Sequence, residues 1–171
     1  LYLTRSGAGT KGRSQQIFDA SLRNAMQYFE LAKTRDRDNV LTLNNLGTVH
    51  LLKKELDFAR AYFKRARKIE AAQAFADNNL GMVSTLEGDY EQAQRYFDKA
   101  LDFAKSSHEP LYNLAILSNM SDNLNLAKTF AAQFIDLRRS SIHANRIAQT
   151  LRLDNHETRR PEGPFALPSI V

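Results

Sequence analysis

The chain has 171 residues, enough for one globular domain or one short solenoid. It contains no cysteine, which excludes disulfides, thiol catalysis and zinc sites built on thiolates. No apolar run approaches the roughly 18 residues of a membrane span, so we expect a soluble protein. The chain begins with Leu1 rather than Met, which favours a fragment or a processed form. A removed targeting segment, and a cytoplasmic or a periplasmic location, stay open.

The net charge of +5 is concentrated in two segments. Residues 53–68 hold seven basic side chains against two acidic ones, and residues 138–160 hold six against two. Basicity is therefore regional, which makes these segments candidates for contact with an acidic partner or nucleic acid.

In chain order, residues 1–13 contain three glycines and little apolar periodicity, which predicts a flexible arm. A helix begins between Ser14 and Ser21, both plausible N-caps, and ends near residue 34. Three helix–turn–helix units follow, at about 40–53 and 56–69, 74–86 and 90–104, 109–120 and 124–137. Gly88 suits a left-handed turn within the second unit. A last amphipathic helix is predicted at 141–153, before a proline-containing tail at 156–171.

One fixed period, the step from Gly47 to Gly81, relates these units. The two glycines occupy the same place in two similar phrases, Asn-Asn-Leu-Gly at 44–47 and 78–81. The same step joins further pairs: Ala59 and Ala93, Tyr62 and Tyr96, Phe63 and Phe97, Ala66 and Ala100. A glycine inside a helix costs roughly 1 kcal/mol relative to alanine. Its recurrence therefore predicts that the paired helix approaches closely at this point.

The third unit varies the pattern. It has Ala115 at the glycine position, Ala131 in place of the phenylalanine, and Phe134 in place of the alanine one turn later. This exchange of large and small side chains would conserve volume.

At these residues the sequence resembles the tetratricopeptide repeat (TPR), a helix–turn–helix unit of about 34 residues. The resemblance implies an all-α, right-handed α-α superhelix of about three repeats with flanking N-terminal and C-terminal capping helices. The domain would cover residues 14–155, with a partial repeat at 14–39, repeats at 40–73, 74–107 and 108–141, and the capping helix at 141–153.

The resemblance also implies a concave groove, lined by the first helix of each repeat, that binds an extended peptide or a short helix. Asn45, Asn79 and Asn113 share one phase and predict a ladder of amides for a peptide backbone. The alternative, that asparagine is common in the family consensus, stays open. The predicted groove residues are Leu41, Asn44, Asn45, Thr48, Leu51, Phe75, Asn78, Asn79, Met82, Tyr112, Asn113 and Ile116.

The apolar tail from Pro161 to Val171 is a candidate ligand for this groove, in its own chain or in a neighbour. A loose chain terminus is the alternative, and it is the commoner state of chain ends.

No catalytic or metal-binding pattern is evident, because the four histidines have no ligand spacing. We therefore predict no enzyme activity and no cofactor. Arg60, Lys64 and Arg67 form a basic stripe along one helix, for which a solvated face is favoured over nucleic-acid binding.

The predicted function is a protein-interaction scaffold, chaperone or adaptor, with bacterial secretion or pilus or envelope assembly as possible settings. The alternative is an electrostatic binder that uses residues 53–68 and 138–160. The oligomeric state stays open.

Overall fold

The computed structural model describes residues 5–104 and 107–137 together with Ile147, with side chains from residue 12 onward. Over these residues the fold is all-α, with no strand, and the predicted fold class is confirmed. The helices are α1 (Arg5–Arg35), α2 (Val40–Leu52), α3 (Leu56–Arg67), α4 (Gln73–Glu87), α5 (Tyr90–Phe103), α6 (His108–Met120) and α7 (Leu124–Leu137).

The helices pack as antiparallel pairs joined by short turns. The pairs are α2 with α3, α4 with α5, and α6 with α7, while α1 packs on α2. Successive pairs stack through the contacts of α3 with α4 and of α5 with α6. This stacking builds a helical-repeat superhelix in which α2, α4 and α6 are buried on almost all sides.

The recurring glycines admit a phenylalanine of the paired helix. A Cβ atom placed on Gly47 would lie 2.5 Å from Cε1 of Phe63, and one placed on Gly81 would lie 2.5 Å from Cε1 of Phe97. Both rings are fully buried. The glycines are therefore required by packing, as the sequence pattern predicts.

The third pair uses the exchanged residues. Ala115 and Ala131 are buried, and Phe134, one turn later, belongs to the same core cluster. The bulk of the aromatic ring is thus retained although its position along the helix changes.

The three turns share one backbone conformation. Lys54, Gly88 and Asp122 stand one repeat period apart and have φ angles of 61°, 82° and 56°. In each turn the next residue donates its N–H to a carbonyl near the end of the preceding helix: Glu55 to His50 at 2.9 Å, Asp89 to Ser84 at 3.0 Å and Asn123 to Ser118 at 2.8 Å. The left-handed residue is therefore part of the repeat, although only one of the three is glycine.

Helix α1 is longer than the sequence predicts. It begins at Arg5, so the expectation of a flexible arm over residues 1–13, with a helix start between Ser14 and Ser21, is wrong for residues 5–13. Each residue added to an existing helix gains a hydrogen bond, and a single glycine costs only about 1 kcal/mol. No proline interrupts this stretch, and the partial repeat at 14–39 has no turn of its own.

The capping helix at 141–153, the tail at 156–171 and the basic segment at 138–160 lie outside the described residues, apart from Ile147. Ile147 is helical, 1% exposed, and part of the cluster that contains Leu111 and Phe134. It is one of the residues that the sequence pattern places on an apolar face.

Replacing Gly81 with alanine should lower the free energy of unfolding by about 1–3 kcal/mol, because the new Cβ meets the buried Phe97 ring. Chemical denaturation measures the change. Gly12→Ala is the matched control, since nothing lies within 4 Å of its added Cβ, and it should leave stability unchanged or raise it. Adding Phe97→Ala and Ala100→Phe to Gly81→Ala copies the third repeat and should restore most of the loss. Equal stabilities of the Gly81 and Gly12 variants would contradict the packing argument.

Replacing Lys54 with glycine should raise the unfolding free energy by about 0.5–1 kcal/mol, because a lysine pays a steric cost in the left-handed region that glycine avoids. Gly88→Ala should lower it by a similar amount. Thermal and chemical unfolding of both variants measure the effect. A Lys54→Gly protein less stable than the parent would show that the side chain contributes more than the turn.

Candidate functional site

Most of the predicted groove residues lie inside the protein. Leu41 is 51% exposed and Phe75 is half-buried, whereas the other ten are at most 9% exposed. Ten of the twelve are therefore largely covered in this structure, and their place in an open groove stays a prediction.

The apolar members of the set pack the helices together. Leu51 and Met82 belong to the central core cluster, while Tyr112 and Ile116 belong to the cluster under α7. The Tyr112 ring lies 5.4 Å from that of Phe134. In this structure these side chains pack within the repeat stack.

Four asparagines form a continuous series of hydrogen bonds across three repeats, which we call the amide chain. Asn113 Nδ2 donates to Asn78 Oδ1 at 3.0 Å, Asn78 Nδ2 donates to Asn79 Oδ1 at 3.4 Å, and Asn79 Nδ2 donates to Asn44 Oδ1 at 2.6 Å. None of the four is more than 7% exposed. The amide chain thus joins α6, α4 and α2 through their side chains.

The amide chain differs from the predicted ladder of Asn45, Asn79 and Asn113. Asn79 and Asn113 occupy one position of the repeat, and Asn44 and Asn78 occupy the position before it. Each bond between repeats joins the first position to the second position in the preceding repeat. Asn45 is buried beside it, at 3% exposure. Hydrogen bonds between repeats depend on how the helices are offset, and the spacing within one helix does not give that offset.

An acceptor stands at one end of the amide chain. Asn113 is fully buried, and its Oδ1 has no hydrogen-bond partner among the described residues. An unsatisfied buried acceptor costs roughly 1–3 kcal/mol. A ligand that supplies a donor there would recover this energy.

The basic stripe is largely neutralised. Arg60 Nη2 pairs with Glu87, and Arg67 Nε lies 2.6 Å from Asp77 Oδ1, so both arginines join α3 to α4 of the next repeat. Lys64 is exposed. Two members of the stripe therefore also pair with the next repeat, while Lys64 is exposed to solvent.

Asp77 is a buried carboxylate that the sequence analysis missed. Its side chain is fully buried at the position that Leu43 and Leu111 occupy in the other repeats. Burial raises the pKa of Asp77, while the charges of Arg67 and Lys99 lower it. In the sequence, this buried carboxylate is indicated by an acidic residue at a position that holds leucine in the other two repeats.

His50 serves the packing of the first repeat. Its ring stacks with the rings of Phe58 and Tyr62, at centroid distances of 5.1 and 5.4 Å. Its Nδ1 lies 2.6 Å from Glu55 Oε2. Within residues 5–104 and 107–137, no group of three or more histidine, aspartate or glutamate side chains could hold a metal ion.

A surface cleft of about 410 Å³ lies between α1 and α3. Three cations line it, but Lys33 pairs with Glu30 at 2.5 Å, and Arg65 pairs with Asp38 at 2.9 Å. Of these three cations, only Arg37 has no such pair among the described residues. The cleft therefore offers little net charge to an anion.

Changing Asp77 to asparagine tests the buried carboxylate. The folded carboxyl holds its proton more tightly than the unfolded one, because its pKa is raised. The wild type should therefore gain stability relative to Asp77→Asn as the pH falls through the folded pKa, and should lose that gain as the pH rises. Unfolding free energies measured between neutral and acidic pH report the difference. The exposed Asp57, changed to asparagine, is the control. A constant difference at every pH would contradict the assignment.

Residues 78–107 match the family model described as "Tetratricopeptide repeat". No curated protein sequence matches the chain. Among the described helices, none has the length and apolar character needed to cross a membrane.

Several solved structures share the fold. The crystal structure of the APC/C hetero-tetramer Cut9-Hcn1 aligns with a TM-score of 0.68 and 19% identity over 81% of this chain, which spans 28% of that chain. The crystal structure of MamA aligns with a TM-score of 0.60 and 18% identity, and the alignment covers 86% of this chain and 84% of that one. YrrB, described as "a TPR protein with an unusual peptide-binding site", aligns with a TM-score of 0.62 and 20% identity. This alignment covers 78% of this chain and 69% of that one.

A fold of this kind supports a role as a protein–protein interaction scaffold, and proteins built from such repeats are generally non-catalytic. The recurring helix pairs, the matched sequence at residues 78–107 and the shared fold together support a tetratricopeptide repeat family for this chain.

Proposed function

We propose that the chain binds an extended segment of a partner protein along α2, α4 and α6, with the amide chain as the main recognition element. The observation that carries this proposal is the continuity of the amide chain, from Asn113 to Asn44, across three repeats.

An extended peptide presents N–H and C=O groups at regular intervals. Each asparagine amide has two N–H donors and an oxygen with two lone pairs, so one bond within the amide chain leaves capacity for others. The unsatisfied Oδ1 of Asn113 is such an acceptor. Recognition through the main chain would accept partner segments of varied sequence.

Access to the amide chain requires the concave side to open, because its asparagines are at most 7% exposed. Leu41, at the start of α2, is the exposed predicted residue at which a ligand would first arrive. The tail from Pro161 to Val171, outside the described residues, is our candidate for a competitor within the same chain. A peptide that binds would displace it.

The setting that we propose is bacterial secretion or pilus or envelope assembly, as a small chaperone or adaptor. The chain is similar in length to secretion chaperones with three such repeats, although those are usually acidic and this chain has a pI near 9.6. The electrostatic alternative has less support, since Arg60 and Arg67 already pair with acidic side chains.

The test selects peptides from a displayed random library on the full chain and measures their affinities for variants. Asn79→Ala combined with Asn113→Ala should weaken binding by about tenfold or more, since it removes two links of the amide chain. Leu41→Glu, an exposed change that preserves packing, should also weaken it. Thermal unfolding establishes that each variant is folded.

Lys64→Glu is the matched control, because Lys64 is exposed on the basic stripe. Under the proposal it leaves peptide affinity unchanged, and affinity stays nearly constant between about 50 and 200 mM salt. Binding that depends on Lys64 and falls steeply with salt, but tolerates the asparagine and Leu41 changes, would overturn the proposal in favour of the electrostatic alternative. Removing residues 161–171 should raise peptide affinity, whereas equal affinities would contradict self-docking alone.

A further inference from the structure

The two stacking contacts between repeats differ at one pair of positions. We call the contact of α3 with α4 the first junction and the contact of α5 with α6 the second junction. At the first junction Arg67 Nε lies 2.6 Å from Asp77 Oδ1. One repeat period later, the same two positions hold Leu101 and Leu111. Leu111 is buried in a core cluster, and Leu101 packs against that cluster. The first junction thus carries a charge pair where the second carries leucines.

The charge pair lies in apolar surroundings. Ala66 and Ala76, which precede its two members in the chain, belong with Leu43 to a core cluster. The Asp77 side chain is fully buried, whereas that of Arg67 is 40% exposed. Neither carboxylate oxygen of Asp77 has a hydrogen bond of good geometry among the described residues. Burial therefore removes water from the carboxylate without replacing all of its hydrogen bonds.

A buried charge pair of this kind often contributes less to stability than apolar side chains of similar volume. Both members lose water when the junction closes, and the incomplete hydrogen bonding of Asp77 returns only part of that energy. When the junction opens, water solvates both charges again. In a repeat protein each contact between neighbours adds its own contribution to stability, so this cost falls on the first junction.

Two further polar contacts cross the first junction. Arg60 pairs with Glu87, and Asn79 donates to Asn44. Both members of the Arg60 pair are partly exposed, and ion pairs open to solvent add little to stability. Opening of the first junction would separate Asn79 from Asn44, and so interrupt the amide chain between α4 and α2.

We propose that the first junction is a joint that opens on its own: α1, α2 and α3 separate there from the other repeats, which stay folded. The buried pair of Arg67 with Asp77 sets how often the joint opens. The second junction, with leucines at the same positions, should stay closed under the same conditions. The joint is a property of the stack and does not depend on the function proposed above, although its opening would expose the amide chain to a partner.

The joint responds to protons through Asp77. Burial raises the pKa of Asp77, while the charges of Arg67 from α3 and Lys99 from α5 lower it. In the open form the carboxyl group is in water, and its pKa returns to the ordinary range. The opening equilibrium should therefore rise as the pH rises through the raised pKa of the closed form, and should fall when the carboxyl group is protonated.

Thiol labelling measures the opening, because the full chain has no cysteine of its own. Ala66→Cys reports on the first junction. Ala100→Cys, one repeat period later, is the matched reporter for the second junction, since both alanines are fully buried. The Ala66→Cys protein should react with a thiol reagent about tenfold or more faster than the Ala100→Cys protein. Equal rates would contradict the joint.

Substitution of the charge pair tests the cause. Arg67→Leu with Asp77→Leu copies the second junction, and it should slow the labelling of the Ala66→Cys protein about tenfold or more. Arg67→Leu alone should instead speed the labelling, because it leaves Asp77 as a buried charge without its partner. Labelling that is unchanged or faster in the double leucine variant would overturn the proposal.

Transfer of the charge pair tests whether it is sufficient. Leu101→Arg with Leu111→Asp moves the pair to the second junction, and it should speed the labelling of the Ala100→Cys protein by a similar factor. An unchanged rate would contradict the role of the pair. Chemical denaturation establishes that each variant is folded. Backbone hydrogen exchange of α3 and α5 in the unmodified chain repeats the comparison of the two junctions without any substitution.

The pH dependence of labelling tests the part played by Asp77. A dithiodipyridine reagent reacts with thiols in acid as well as at neutral pH, and an exposed thiol corrects for its own pH dependence. The labelling of the Ala66→Cys protein should slow as the pH falls over the range in which the chain stays folded. It should not do so when Asp77→Leu and Arg67→Leu are added. The same pH dependence in both proteins would overturn the assignment to Asp77.

Discussion

The insertion of a phenylalanine over a glycine sets the distance between the two helices of a repeat. Phe63 over Gly47 and Phe97 over Gly81 have the same geometry, with no room for an added methyl group. This close approach draws the first helix into the interior, where its asparagines lie out of water. In the third repeat Phe134, one turn later, supplies the aromatic ring of the core cluster. The volume of the ring therefore matters more than its exact position along the helix.

Stacking of the pairs then decides which polar groups meet. Buried amides must find partners, and those of Asn79 and Asn113 find them in the preceding repeat. The charged side chains of α3 are used in the same way, since Arg67 reaches the buried Asp77 of the next repeat. Part of the basic charge of residues 53–68 is therefore paired within the fold.

The sequence predicts the architecture well because glycine, alanine and phenylalanine at a fixed period determine a local packing problem with few solutions. The described helices α2 to α7 begin and end within two residues of the predicted ranges. Turn chemistry was less visible: Asp122 and Lys54 adopt the conformation of Gly88 without being glycine. Their place one repeat period from Gly88, rather than their residue type, indicates the left-handed conformation.

The candidate site was harder to predict, because burial depends on what packs around a helix. Leu41 is exposed while Met82, assigned to the same groove, is 1% exposed. The ion pair of Arg60 with Glu87 likewise depends on an offset between repeats that no spacing within one helix reveals. The extension of α1 to Arg5 was missed since glycine content alone does not end a helix.

The site depends on hydrogen bonds between the asparagine side chains of successive repeats. Hydrogen exchange of the side-chain amides, followed by NMR on the full chain, tests whether these bonds form. The Nδ2 protons of Asn79 and Asn113 should exchange far more slowly than those of the exposed Asn125. Exchange of all three at the same rate would show that the amide chain does not exist in solution.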